Sequence, residues 1–190
     1  MSSVLWAPAP AAFQSSNLAR FCLANGFNPR DYETLHRWSV SDPGAFWRAV
    51  WVFAGVIGNP GARSFLRDDQ QPMTQSRFFP DASLNLAENL LRGDDDRVAV
   101  SQADESGHFR TFTLGELRRL VASTAQGLRA AGVVSGDSVG GILPNRVEGL
   151  VALLATLSIG AVWSSCPPDF GAAAVVGRLG PVGGKGLLFL

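Results

Sequence analysis

The stretch VGGILPNRVEGLVALLATLSIGAVWSSCPPDFG, from Val139 to Gly171, decides the fold. It begins with a short apolar run that ends at Pro144. Leucines and valines then recur at the spacing of one helical face, and Asn145 followed three residues later by Glu148 is typical of a capping box. Gly160 is placed to end this helix, before a β-prone run that leads into a proline-rich loop. The stretch therefore predicts a strand, a helix, a second strand and a loop in unbroken succession.

The loop after the second strand, Cys166 to Gly171, is the predicted ligand-binding edge. One helix between two strands makes a right-handed crossover between parallel strands. In open α/β sheets, ligands bind outside the carboxyl ends of such strands. Cys166 could be displayed there as a nucleophile, but neither His36 nor His108 lies beside it in the sequence. A buried structural thiol is therefore the favoured interpretation.

The N-terminal half predicts a mainly helical cover. Residues 1 to 14 are rich in alanine and proline and predict an extended arm, which Trp6 would dock at one point. Residues 15 and 16 are serines, either of which can cap a short helix. Asp42 followed by Pro43 starts a longer helix with a strongly aromatic face. Nucleic-acid binders interleave such aromatic residues with lysine and arginine, which are sparse here, so a packed core or docking face is favoured.

The C-terminal half predicts an α/β domain. Val98 to Ser101 and Phe109 to Thr113 form the predicted strands of a hairpin with a glycine turn. Thr113 and Glu116 make a capping box for the next helix. The order is then hairpin, helix, strand, helix and strand, with the apolar run Leu187 to Leu190 as a further strand. The predicted domains are an arm and short helix over 1–30, a helical region over 31–96 and the start of the α/β domain over 97–190.

The composition argues against the nucleic-acid-binding, membrane and secreted classes. Sixteen basic and sixteen acidic residues cancel, so no bulk charge draws the chain to an anionic partner. Two distant cysteines favour a reducing compartment, for which the cytoplasm is the default. The run Gly149 to Cys166 is uncharged and close to the ~20 residues that span a bilayer. It contains polar residues and ends as a strand, so a buried unit is favoured, and small molecules or another protein are the expected partners.

Three further patterns predict neither a catalytic residue nor a metal site. The run Gly183 to Gly186 resembles the end of a phosphate-binding P-loop, but Leu179 stands where the first glycine belongs and Gly186 where a serine or threonine belongs. Asp94 to Asp96 invites a metal site, yet three consecutive carboxylates in a turn do not converge on one ion, so a solvated connector is favoured. The two histidines and two cysteines lack the ligand-pair spacing of zinc sites.

Several collinear stretches, spread over residues 30 to 180, resemble the N-terminal part of the acetoacetyl-CoA synthetases, a family of acyl-adenylate-forming enzymes. The stretches are Trp38-Ser39-Val40, Phe46-Trp47, Phe78-Phe79-Pro80, Leu84-Asn85, Ala87-Glu88-Asn89-Leu90-Leu91-Arg92, Pro144-Asn145, Gly160-Ala161-Val162-Trp163-Ser164-Ser165-Cys166 and Pro168-Asp169-Phe170-Gly171. The last of them favours the acetoacetate branch over the acetyl-CoA synthetases.

The resemblance implies the fold of an adenylate-forming N-terminal domain and a two-step reaction. ATP and a short carboxylic acid such as acetoacetate form an acyl-adenylate, which the thiol of coenzyme A then attacks. Mg²⁺ assists by screening phosphate charge. The resemblance places Pro168, Asp169, Phe170 and Gly171 near the channel for the pantetheine arm of coenzyme A. Pro167 departs from the family pattern, in which a serine is usual, and would stiffen the loop.

The family's phosphate loop, its adenine and ribose motifs and its catalytic lysine match no part of the 190 residues. The resemblance therefore implies an N-terminal fragment of an acetoacetate-CoA ligase that is inactive alone. The alternative is a non-catalytic binding module, or one half of a split ligase completed by a separate C-terminal piece. That partner would cover the open sheet edge and the apolar end of the chain.

Overall fold

The computed structural model describes residues 5–67, 72–182 and 186–189. The chain divides into two compact units, residues 1–84 and residues 85–190. The first unit is mainly helical. Its elements are α1 (Pro10–Gln14), α2 (Asn17–Ala24), α3 (Tyr32–Ser41), α4 (Pro43–Phe53), β1 (Phe65–Leu66), a 3₁₀ turn (Met73–Gln75) and β2 (Arg77–Phe78).

Local caps set the helices of the first unit. Ser16 accepts a hydrogen bond from the amide of Ala19 (3.1 Å), and Asp42 accepts one from the amide of Ala45 (2.9 Å), so both predicted helix starts are confirmed. The predicted extended arm is wrong at its end, because α1 forms there. Trp6 is 79% exposed, so it does not dock as predicted.

Aromatic packing forms the core of the first unit. Phe21, Cys22 and Leu35 are buried at its centre. The ring of Trp38 lies 4.8 Å from that of Phe27, centroid to centroid, and 5.4 Å from that of Phe46. Phe46 of α4 packs against this core, whereas Trp47 is 38% exposed, so the packed-core interpretation holds for part of the aromatic face. Burial also raises the pKa of the Cys22 thiol, which keeps it protonated and inert.

Within the first unit, an ion pair joins the segment after α4 to the segment after β2. Arg63 donates two hydrogen bonds to Asp81, from Nε (2.9 Å) and from a terminal nitrogen (2.7 Å). Hydrogen bonding to the guanidinium holds the pKa of the Asp81 carboxyl below its usual range. After α4, β1 and β2 pair as a short antiparallel ribbon.

The second unit is a parallel sheet with a hairpin and helices around it. Its elements are α5 (Leu86–Leu90), β3 (Val98–Ala103), β4 (Phe109–Thr113), α6 (Leu114–Ala130), β5 (Ser138–Ile142), α7 (Val147–Ser158), β6 (Val162–Cys166), α8 (Ala172–Leu179), a 3₁₀ turn (Gly180–Val182) and β7 (Gly186–Phe189). The strand, helix and strand predicted from residue 139 onward are confirmed as β5, α7 and β6. The α/β class is confirmed with them.

The sheet order is β6-β5-β7, with all three strands parallel. The register pairs Val139 with Trp163 on one side of β5 and with Gly186 on the other. The chain moves one way across the sheet from β5 to β6 and the opposite way from β6 to β7. Because both crossovers are right-handed by rule, α7 and α8 belong on opposite faces. The chain therefore reverses its direction across the sheet after β6, and β7 pairs with the other side of β5.

Helix α6 begins with the predicted capping box. The amide of Glu116 donates to the Thr113 hydroxyl (3.2 Å), and the amide of Thr113 donates to Glu116 Oε2 (2.8 Å). The preceding β3–β4 hairpin turns at Gly107, whose φ of +83° suits a residue without a side chain. Leu117, Val121 and the other apolar residues of α6 then pack with α7 over β5 in one core.

Replacing Thr113 with alanine is expected to destabilise the chain by about 1 kcal/mol, because the amide of Glu116 at the start of α6 loses its partner. Thr113→Ser keeps the hydroxyl and should lose only a small part of this. Urea unfolding of both variants, followed by far-UV circular dichroism, measures the difference. Equal midpoints for the two variants would contradict the cap's role.

Candidate functional site

A cleft of about 420 Å³ opens at the carboxyl ends of β5 and β6. Its apolar wall comes from α7 and β6, through Leu150, Leu153 and Trp163. Its polar rim follows β5 and the end of β6, and consists of Asn145, Arg146 and Ser165. This is the edge at which open α/β sheets bind ligands, and the volume lies in the range of small-molecule sites.

The floor of the cleft depends on one glycine. The indole of Trp163 reaches across from β6 to the neighbouring strand and fills the place where Gly141 lacks a side chain. A Cβ at Gly141 would lie 2.6 Å from Trp163 Cζ2, and still closer to Cη2. Only glycine therefore allows Trp163 to lie across β5 and line the cleft.

The predicted capping box at the start of α7 is wrong. Arg146, not Asn145, is the N-cap residue, and no side chain of the segment caps the helix. The amide of Val147 instead donates to Gln102 Oε1 in β3 (2.8 Å). Gln102 lies 45 residues away in sequence, so no local pattern indicates this bond. A second cleft, of about 340 Å³, separates β3 from the Asn145–Arg146 turn.

Arg146 carries the positive charge of the cleft's rim. Its Nε lies 3.7 Å from Glu148 Oε2, and both side chains are about half exposed (57% and 43%). Glu148 Oε2 makes no hydrogen bond in the described structure. The two charges are therefore paired only loosely, which leaves the guanidinium able to meet an anion from the cleft.

The predicted coenzyme A residues lie just beyond the cleft. Pro168, Asp169 and Gly171 are exposed, and Phe170 is half-buried beneath the guanidinium of Arg178, 4.4 Å from the ring centroid. The carbonyl of Gly171 accepts hydrogen bonds from the first turn of α8, which the sequence did not predict. The four residues thus form a turn between β6 and α8 on the same edge as the cleft.

Cys166 joins that turn to the cleft. Cys166 and Pro167 line the cleft, whereas the four residues after them do not. Cys166 is 4% exposed and is a free thiol, in accord with the structural interpretation.

Sequence reasoning missed Arg146 and Trp163 as site residues. The signal for Arg146 was its position directly after a strand, because parallel neighbouring strands end at one edge.

Other patterns contribute no site within the described ranges. Asp95 is paired with Arg118, which also donates to the carbonyls of Leu91 (2.7 Å) and Gly93 (2.8 Å). Arg118 of α6 therefore holds the acidic connector and the end of α5 in place. No group of His, Cys, Asp or Glu side chains among residues 5–67, 72–182 and 186–189 is arranged to hold a metal ion. No helix there is long and apolar enough to cross a membrane. The glycines and lysine of the P-loop-like run at 183–185 lie outside the described residues.

The chain belongs to the AMP-binding enzyme family, whose model matches residues 87–188. A second model, the acetyl-coenzyme A synthetase N-terminus, matches residues 32–90. The two matches overlap at residues 87–90 and together run from residue 32 to residue 188.

The relatives point to one branch of the family. The chain is 42% identical over 187 residues to the acetoacetyl-coenzyme A synthetase of Rhizobium meliloti (strain 1021), and 38% identical over 187 residues to that of Danio rerio. Each alignment covers 95% of this chain and 28% of the relative. The acetoacetyl-CoA synthetase structure from Streptomyces lividans matches 99% of the chain with a TM-score of 0.85 and 38% identity, over 30% of its own length. The chain therefore matches the N-terminal region of acetoacetyl-CoA synthetases and spans under a third of their length.

Proposed function

We propose that the chain is the N-terminal portion of an ATP-dependent acetoacetate-CoA ligase and that it lacks ligase activity alone. The observation that carries the proposal is the 42% identity over 95% of the chain to an acetoacetyl-coenzyme A synthetase. The substrates are then acetoacetate or a similar short acid, ATP and coenzyme A. The chain serves as an N-terminal cover over 1–30 and 31–96 and as the first part of the AMP-binding domain over 97–190, in the cytoplasm.

Pro168, Asp169, Phe170 and Gly171 would form one wall of the coenzyme A channel. The exposed turn suits an uncharged pantetheine arm, because its backbone is open and Arg178 holds Phe170 in place. Coenzyme A supplies the thiol that accepts the acyl group. The described residues offer no cluster of carboxylates for Mg²⁺, so the ion and its phosphates would be held by parts of the ligase that lie outside this chain.

A split ligase is the second candidate, supported by the sheet. Within the described ranges, β7 pairs with β5 alone, and an unpaired strand edge is a ready template for another chain. A separate C-terminal piece would add to this edge and supply the catalytic motifs.

Acetoacetate-dependent exchange between ATP and pyrophosphate tests both proposals. The purified 190-residue chain is expected to show no exchange. Adding the separately expressed remainder of the Streptomyces lividans enzyme should restore exchange if the chain is a competent ligase portion, and the remainder alone is the control. Turnover by the chain alone would contradict its inactivity, and failure of the mixture would remove the support for the split ligase.

A further inference from the structure

We propose that an apolar groove on the first unit binds the N-terminal arm of a second copy of the chain, with Trp6 as the anchor. The arm is the segment 5–9, which precedes α1. The groove is formed by α2, α3 and α4. This self-association goes beyond the proposed function, and it involves no residue of the cleft beside β5.

The arm leaves two large apolar side chains in solvent. Leu5 is 96% exposed and Trp6 is 79% exposed. Exposing such side chains to water is unfavourable, and tryptophan is enriched among the residues that anchor protein interfaces. No charged side chain precedes Arg20 in the sequence, so burying the arm removes no ion from water. The arm therefore has the composition of a binding segment.

Two prolines hold the arm extended. Pro8 and Pro10 each disfavour a helical conformation at the residue before them, and the residue before Pro10 has the φ of −57° and ψ of 144° of a polyproline II segment. At the rise of such a segment, Trp6 lies about 12 Å from Pro10. The guanidinium of Arg30 lies over the ring of Phe13 in α1, 5.4 Å from its centroid, and fixes the base of the arm. A stiff arm on a fixed base presents its tryptophan to a second molecule.

The groove has a volume of about 360 Å³ and an aromatic lining. The ring centroid of Phe21 lies 5.8 Å from that of Phe46 and 5.3 Å from that of Phe53. Tyr32 and His36 are exposed lining residues whose ring centroids lie 6.2 Å apart. Among the described residues that line the groove there is no aspartate, glutamate, lysine or arginine. The groove is thus an uncharged aromatic surface with polar groups on its exposed side.

The arm and the groove match in conformation and in charge. Polyproline II segments dock in aromatic-lined grooves, because they are already extended and lose little entropy on binding. Their carbonyls make no internal hydrogen bonds, and the Tyr32 hydroxyl and the His36 imidazole are donors for them. A charged peptide or an anion would lose its hydration in the groove without gaining an ion pair. This selects the uncharged arm of a second copy as the occupant.

Sedimentation equilibrium of the 190-residue chain, purified without an N-terminal tag, tests the inference. Dimers that form at high micromolar concentration are expected, because a contact made by one short arm is small. Trp6→Ala should weaken the dimer about tenfold or more, since buried tryptophans carry much of the binding energy of an interface. A chain that stays monomeric up to about 1 mM would overturn the inference, including one whose arm docks in its own groove.

A matched pair of substitutions on α2 locates the groove. Leu18 and Leu23 are both exposed leucines (41% and 66%), but of the two only Leu18 lines the groove. Leu18→Gln should weaken the dimer about fivefold, because apolar surface is lost from the contact. Leu23→Gln should leave the dimer unchanged, and far-UV circular dichroism checks that both variants fold. Equal effects of the two substitutions would overturn the inference.

Mixing two variants shows whether the arm meets the groove. The Trp6→Ala chain keeps its groove and the Leu18→Gln chain keeps its arm, so the mixture forms one arm-to-groove contact that neither variant forms alone. More dimer is expected in the mixture than in either variant by itself. A mixture that dimerises no better than its components would overturn the inference. No readout depends on ATP, acetoacetate or turnover, so these results are independent of the proposed function.

Discussion

Gly141→Ala is expected to lower the free energy of unfolding by about 2 to 3 kcal/mol, because overpacking a buried strand forces neighbours off their preferred positions. The new Cβ would lie 2.6 Å from Trp163 Cζ2, a distance that real side chains do not tolerate. Trp163 sits in the core shared with α7, so it has little room to withdraw. Chemical denaturation with far-UV circular dichroism measures the change.

Two controls isolate the steric cause. Gly127→Ala in α6 places its Cβ in open space and should stabilise the chain by about 1 kcal/mol, because alanine favours the helix. In a Trp163→Leu background, the cost of Gly141→Ala should fall below about 1 kcal/mol, which makes the two positions strongly coupled. An unchanged cost in that background would show that the indole is not the cause.

Helix starts that depend on neighbouring residues were predictable from the sequence. Ser16, Asp42 and Thr113 each accept a hydrogen bond from an amide three residues ahead, so residue type and spacing suffice to identify them. Helix α7 has the same local signal in Asn145, but its first amide bonds to Gln102. The signal failed there because a tertiary contact from β3 satisfies the amide that a local cap would otherwise serve.

Three helices, α1, α3 and α8, were not predicted, and each buries little of its surface. Only Leu35 of α3 is buried, and α8 buries no residue fully. All three strands of the sheet were predicted, from short β-prone runs bounded by turn residues.

The candidate site also has one part that the sequence predicts and one part that it does not. Its edge of the sheet follows from the strand, helix and strand pattern, which is local. The pairing of Gly141 with Trp163 depends on the register between β5 and β6, which the sequence does not specify by any short-range signal.

Asn85→Asp is expected to destabilise the second unit by about 2 kcal/mol at neutral pH. The Asn85 side chain joins two helices, because the start of α5 needs a hydrogen-bond acceptor from it and the end of α7 needs a donor. Asn85 Oδ1 accepts the amide of Glu88 (3.2 Å) and caps α5, which aspartate would do equally well. Asn85 Nδ2 donates to the carbonyls of Leu157 and Ser158 (3.1 Å each) at the end of α7. A carboxylate there would face two carbonyls and the negative end of the helix dipole. It would also remove the donor that the two carbonyls share, so that the carbonyl of Leu157 would keep only the amide of Gly160 (3.0 Å).

The pH dependence of this variant distinguishes the bridge from the cap. Repulsion by the carbonyls raises the pKa of the introduced carboxyl in the folded state, and its protonated form can donate to one of them. Its penalty should therefore be complete above the folded-state pKa and shrink as the pH falls toward about 4, where the unfolded carboxyl also protonates. Asn85→Ala, which loses cap and bridge together, should show the same loss relative to the natural chain at both pH values. A penalty for Asn85→Asp that is independent of pH would show that the amide donor does not carry the contact between α5 and α7.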